Sequence, residues 1–581
     1  MECLSSAFEV FSASVWEYRS LVISCLIFIF GLVLMHFLTA PQGSQVQTVH
    51  LLSAPPSRSF IWGHEKEVFL NEPGKAFRRW TAALGPAYRI KAAFGASDIL
   101  VLSDPEGISY ILQKKIYDYH HSKVVRPRVA RLLGKGLGWV EGSEAHKRMR
   151  KLIAPSLTTE NIKAMSEDVR QAAFAAITNL HLLFDSSTTS KKLSLNILDW
   201  TSEATLNVIG RVGFLHDFEG GKSQDAKKIL GARRRGASVV AEYAGFLTLM
   251  LLRRFPILNH LPIFAIQAQG LAKSAIQRGV AQEMVKRAQD IVQADNKDLL
   301  SRLLLARSNS EISTAELFEQ VRVLVLTVAS QQILGILDID FCVCPRLFPK
   351  CSQLTTGISR IAGHETTTLT LAFSLWELAR HPDKQNRLRE EIQSIGNEAT
   401  YDDFQTKFPY LDAVLKETLR LYPGLAYMER VATKNDIIPL AQTIIGSNGQ
   451  LVDKIVVKPG QVVLIPIMAI HRDDSKWADP DKFEPERWLD SLPNVERLPN
   501  GWSHLLTFSS VLTPSSDGPR NCIGMRLAIF QYKVILSALL SQFRFKDTGA
   551  DISLKIASSL QPWVVGEKEK GPQLPVEVET L

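Results

Sequence analysis

The chain lacks the features that would place it in several large classes. It has no internal repeat and no long low-complexity tract, so it is not a solenoid. No glycine-rich dinucleotide fingerprint is present, which leaves the chain without a flavin or nicotinamide domain of its own. Cysteine is scarce, six in 581 residues. Three of these, Cys342, Cys344 and Cys351, fall together but lack a close, clearly spaced fourth ligand, so a zinc knuckle has little support. The net charge is a modest +8, and basic runs such as Arg233-Arg234-Arg235 have no interleaved aromatics. Nucleic acid is therefore not an expected partner, and these runs read as solvated faces or as surfaces for anionic lipid or an acidic protein.

Long apolar runs are also rare. Leu21 to Leu38 is uncharged and just long enough to span a bilayer. A cleaved leader would need a basic start, whereas Glu2, Glu9 and Glu17 stand here against Arg19. We expect residues 1–40 to hold a membrane anchor with its helix at about 21–38, 41–58 to be a polar hinge, and 59–581 to form one catalytic body. Phe246 to Pro256 is apolar but too short to span; a buried helix is favoured there over an interfacial one.

Four motifs carry chemistry. In Gly518-Pro519-Arg520-Asn521-Cys522-Ile523-Gly524, one cysteine sits between glycines just before the apolar helical run starting at Met525. Gly518 and Gly524 let the backbone approach a flat ligand, Arg520 matches a carboxylate, and the N–H groups of a helix start favour a thiolate. Leu415 to Pro423 has helical periodicity that puts Glu417 and Arg420 on one face, and Arg487 lies downstream in Phe483-Glu484-Pro485-Glu486-Arg487-Trp488. Ala362-Gly363-His364-Glu365-Thr366-Thr367 opens another helical run; a zinc-protease reading fails because Thr368 stands where the second histidine is needed. Glu141 to Lys151 supplies His146 and Arg150, ahead of Leu152-Ile153-Ala154-Pro155.

In this order and with these offsets, the motifs resemble those of the cytochrome P-450 superfamily, the haem-thiolate monooxygenases, and of its fungal microsomal members in particular. The resemblance implies a mainly helical fold with a smaller β lobe, an α+β arrangement preceded by a transmembrane helix. It implies haem b (iron protoporphyrin IX), with Cys522 as the axial iron ligand. Gly518, Arg520 and Gly524 would line the cysteine loop, and His146, Arg150 and Arg430 would hold haem propionates. Ala362 and Gly363 would leave room for dioxygen, while Glu365 and Thr366 relay protons. Glu417, Arg420 and Arg487 would form a structural cluster. Electrons would come from NADPH through a separate cytochrome reductase, with cytochrome b5 as a further donor. Residues 124–140, the Phe246 segment and Leu425-Ala426-Tyr427 would shape the pocket for an apolar small molecule, at the endoplasmic reticulum membrane. Some relatives rearrange or dehydrate an oxygenated substrate without a reductase.

Two departures from the family pattern stand out. A phenylalanine is expected where Ser515 lies, and it occurs earlier, at Phe508, as if 510–516 were inserted. Likewise Ser313 to Arg322 resembles the start of the helix that continues at Ala362, with 323–359 between. Each segment interrupts a motif whose halves join cleanly without it, so both read as translated introns; a non-catalytic membrane protein of the same fold, inactivated by them, is the alternative to the monooxygenase.

Overall fold

The computed structural model describes residue 31 and residues 48–56, 59–132, 135–186, 192–230, 239–260, 299–317, 362–396, 398–492, 502–508, 520, 522–556 and 559–581. Two units are present, 1–47 and 48–581, and of the first only Gly31 is described, in helical conformation. The rest of the expected anchor, both inserts and Gly518 lie outside the described residues. Among the described residues no helix is long and apolar enough to cross a membrane.

Short β-rich segments gather into a mixed five-stranded sheet in the order β1 (Ala87–Ile90), β2 (Ile99–Leu102), β8 (Val462–Ile465), β5 (Met428–Ala432), β3 (Tyr119–His120). β1 and β2 are antiparallel, with Ala87 opposite Leu102. β2 runs parallel to β8, and β8 antiparallel to β5. Successive strand residues face opposite ways. On β5 this sends Glu429 and Arg430 to different sides of the sheet, and both are buried. A hairpin of β6 (Asp436–Ile445) and β7 (Leu451–Val457) lies beside it in sequence. β10 (Ile552–Ile556) and β11 (Leu560–Val564) form a further hairpin. β12 (Pro575–Thr580) pairs with both β4 (Lys192–Asn196) and β9 (Phe543–Asp547).

Ten helices frame the site: α1 (Glu65–Leu70), α2 (Val125–Leu132), α3 (Ser143–Ile153), α4 (Ser166–Ser186), α5 (Ile197–Phe214), α6 (Val239–Arg254), α7 (Ala362–Arg380), α8 (Pro382–Ile395), α9 (Pro409–Leu421) and α10 (Met525–Leu540). Prolines set several of their limits. Pro382 and Pro409 occupy first-turn positions, where a missing N–H costs nothing. His381 and Tyr422, each before a proline, leave helical geometry at φ −125°. The largest core joins α4, α5, α7, α9 and α10 through residues such as Leu180, Leu206, Leu371, Leu415 and Leu536, and a second core lies under the sheet around Leu100, Ile438 and Val463.

Polar side chains on α7 reach across this core as well as along the helix. Thr370 Oγ1 bonds back to the Thr366 carbonyl at 2.9 Å, but Thr368 Oγ1 meets Thr205 Oγ1 of α5 at 2.7 Å and Thr367 Oγ1 accepts from Gln531 Nε2 of α10 at 3.0 Å. On α6, Phe246, Met250 and Leu252 are buried while Tyr243 and Leu247 are exposed, in keeping with a core-facing helix. Its Arg253 is clasped between Glu65 of α1, at 3.0 Å, and Glu429 of β5, at 2.8 Å.

Two short helices complete this part of the fold. Pro105–Ser109 is α-helical and widens to a π turn at Tyr110–Lys114, from which Tyr110 Oη donates to Asp436 of β6 at 2.7 Å. After Pro466, Ile467–His471 is a short helix whose five side chains are all buried, so its backbone must pair internally.

Candidate active site

Cys522 is the one cysteine among the described residues. It enters α10 through a tight turn, with Met525 N–H donating to its carbonyl at 3.3 Å and Ala528 N–H to Gly524 O at 2.9 Å. Burial pushes its thiol up to about 11, against the opposing pull of the Gly524 N–H and the Arg150 charge. The helix start therefore does favour a thiolate, as its position implies, but burial outweighs it in the protein alone. A metal cation at sulfur reverses that balance, because coordination deprotonates a thiol outright. A Cβ added at Gly524 would meet Sγ at an ordinary 3.9 Å, so the glycine serves to leave the face beside the sulfur open.

Beside the cysteine lies a cationic shelf. Gly142 at φ +82° makes the turn into α3, a conformation that a side chain would strain, and it delivers Glu141 inward just ahead of the helix. Arg520 Nη2 donates to Glu141 Oε2 at 2.7 Å, and the Arg520 guanidinium lies 5.2 Å over the Tyr117 ring. His121 donates to Glu141 Oε1 from its backbone N–H at 2.9 Å and also contacts it through Nδ1. His146, buried on α3, meets Tyr117 Oη through Nδ1 at 3.1 Å. Arg150, one turn further on, is held below its usual value by burial, partly offset by Cys522. Arg430 on β5 is buried, and its Nη1 donates to the Glu429 carbonyl at 3.1 Å.

The electrostatics follow from this crowding. Burial would raise the Glu141 carboxyl, but His121 and Arg520 hold it at about 2. Burial brings His121 down to about 4 despite Glu141, and His146 to about 4 with help from Arg520 and Arg150. Burial, then Arg520, lowers Arg430 to about 10. Three guanidiniums (Arg150, Arg430, Arg520) thus face one carboxylate (Glu141), and three minus one leaves an excess of two positive charges. Arg520 Nε and His121 Nε2 are buried without a hydrogen-bond partner among the described residues. The orphaned Arg520 N–H and the surplus positive charge are the complement of a dianionic ligand.

On α7, Glu365 is buried and Thr366 is accessible. Ala362 and Gly363 form the helix's first described turn, and their side-chain surroundings lie outside the described residues. Glu417, Arg420 and Arg487 are brought together: Arg420 grips Glu417 through Nη2 at 2.8 Å and Nε at 2.9 Å, and Arg487 Nε reaches Glu417 Oε1 at 3.1 Å. Trp488 Nε1 and the Glu484 N–H, each at 2.9 Å, complete the carboxylate's shell. Phe508 stacks edge-on against Trp502 at 5.0 Å.

A family model described as Cytochrome P450 matches residues 54–330 and 353–569. The chain belongs to the cytochrome P450 family. It is 28% identical over 548 residues to cytochrome P450 monooxygenase claQ of Ampulloclitocybe clavipes, covering 91% of this chain and 92% of that one. It is likewise 28% identical over 573 residues to claO of the same fungus, covering 95% and 97%. Cytochrome P450 monooxygenase 205 of Postia placenta is 27% identical over 543 residues, covering 90% and 92%. The chain is thus a P450 monooxygenase of the kind found in fungi, its helical body with a smaller sheet part suits the P450 fold, and haem is the cofactor that the family implies.

The residues present fit that group, since a half-buried cysteine at a helix start adjoins surplus positive charge and an unpaired Arg520 N–H. Tyr117, His121 and Glu141 escaped the sequence reading. Only the adjacency of Glu141 to Gly142 hinted at them, because their shared partner Arg520 is 379 residues from Glu141.

Proposed function

We propose that this P450 inserts one atom of dioxygen into a mostly apolar small molecule, with electrons from NADPH through a separate cytochrome reductase and with cytochrome b5 as a further donor. The observation that carries the reading is the joining of Cys522 to a cationic shelf with unused donors. Haem b, when bound, supplies the reductive activation of dioxygen. Cys522 would ligate its iron, while Arg150, Arg430, Arg520 and His146 would hold its propionates. Glu365 and Thr366 would move protons toward the reacting oxygen, Glu365 at its carboxylate and Thr366 at Oγ1. The apolar faces of α6 and of Leu425-Ala426 support an apolar substrate. The uncharged run 21–38 supports an anchor in the endoplasmic reticulum membrane, with residues 59–581 in the cytosol.

The segments 323–359 and 510–516 are proposed as retained introns. The unmatched gap between 330 and 353 supports this for the first; the second lies within a matched range. The test is the reduced carbon monoxide difference spectrum of the full chain in detergent, beside a version without both segments. A thiolate-type Soret band in the full chain upholds the site and makes the segments tolerated loops. A band only in the trimmed chain assigns the chemistry to the spliced protein, and no band in either overturns the reading. Turnover without NADPH would replace monooxygenation by a rearrangement or dehydration at the same site.

A further inference from the structure

The partners of Glu365 come from a distant part of the chain. Ser559 Oγ donates to Glu365 Oε1 at 2.7 Å, Gln561 Nε2 donates to the same oxygen at 3.0 Å, and Gln561 Nε2 also donates to Ser559 Oγ at 2.8 Å. All three side chains are buried, Gln561 completely. Ser559 and Gln561 are two residues apart at the start of β11, so alternation turns both toward α7. Leu560, between them, donates its N–H to Gly424 O at 3.2 Å. Gly424 in turn borders Thr366, whose Cγ2 lies 3.8 Å from where a Gly424 Cβ would be. One end of the hairpin therefore touches Glu365 directly and the neighbourhood of Thr366 through a single loop residue.

The chemistry of this triad has a direction. Both neighbours donate to the carboxylate, which fixes its rotamer. Gln561 Oε1 is buried with no hydrogen-bond partner among the described residues, although it sits beside a proton-accepting group. A buried acceptor of this kind is ordinarily met by a water.

Building on the function proposed above, we infer that Ser559 and Gln561 are positioning residues for proton delivery, which aim Glu365 between a water held at Gln561 Oε1 and Thr366. Each transfer moves one proton and no electrons. A solvent proton arrives through the water, Glu365 takes it at a carboxylate oxygen and passes it to Thr366 Oγ1, and Thr366 releases its own hydroxyl proton. Each group then returns to its starting state.

The test uses the full-length, haem-loaded protein with reductase, comparing wild type with Ser559→Ala, Gln561→Leu and the hydroxyl-retaining Ser559→Thr. The first two should keep the carbon monoxide spectrum and substrate KM, raise the fraction of NADPH lost as hydrogen peroxide, and lower kcat about 10-fold, the scale of losing an orienting neighbour. Ser559→Thr should restore coupling. Without NADPH, thermal unfolding of Glu365→Gln, Gln561→Leu and the double variant should be non-additive. A wild-type thiolate spectrum with an unchanged peroxide fraction in both variants, or additive unfolding shifts, overturns this inference alone. A wild-type protein without that spectrum overturns the function on which it rests.

Discussion

Two buried clusters of arginine and carboxylate lie in one body and are built to opposite specifications. At Glu417 each carboxylate oxygen is met by more than one donor, and the remaining Arg420 donors are spent on the carbonyls of His471, Pro480 and Lys482 at 2.9, 2.6 and 3.1 Å. At Glu141, the Arg520 Nε donor is left over and cations outnumber the carboxylate. A saturated cluster joins α9 to the segment around Arg487 and has nothing to offer a ligand; such a cluster specifies geometry. An unsaturated one is poised for an anion from outside the chain. Unused valence, more than charge, separates scaffold from site here.

The comparison breaks first at Glu417. Glu417→Ala would strand the buried Arg420 guanidinium without a counter-charge, at a cost of about 3–5 kcal/mol, and circular dichroism melts should show a protein barely folded or not folded at all. Arg430→Gln removes one surplus cation from the other cluster. Its fold should survive, while haem affinity in a titration falls about 10- to 100-fold.

Glu141→Gln sharpens the contrast. It deprives Arg520 and His121 of their internal anion, so the rise in melting temperature on haem loading should exceed that of wild type. An equal rise would place Glu141 with the scaffold.

The most gradual effect is one of pH. His471 is fully buried and accepts from the Leu506 N–H at 2.9 Å; burial first and then Arg420 hold its imidazole at about 3, against an ordinary 6.5. Between those values the unfolded chain binds a proton that the native protein refuses. Stability therefore falls as pH drops through that window, by at most about 1.4 kcal/mol per unit for this group. Urea unfolding across the window should show the slope, and His471→Gln should flatten it.

What the sequence disclosed follows the same division. Residues within one turn of each other, such as Glu417 with Arg420, were legible because helical spacing puts them on one face, whereas His146 with Arg150 was reached through the resemblance. Arg487 was reached only through the resemblance, and it does lie on Glu417. Glu141 with Arg520, and Glu365 with Ser559 and Gln561, were not legible, since neither periodicity nor spacing links residues so far apart. The π turn at Tyr110–Lys114 was hidden for a related reason: its Asp436 partner lies on a strand 326 residues away.

The same distance governs how the chain assembles. β12 is the middle strand of its sheet, with Val576 opposite both Leu195 and Asp547. Local helices form fast, whereas a strand that joins such remote segments must wait for the loop between them to close. Until β12 inserts, β4 and β9 present unpaired edges to any neighbouring chain. Aggregation during refolding should therefore begin at this small sheet, and yield of folded protein will depend on how quickly it closes.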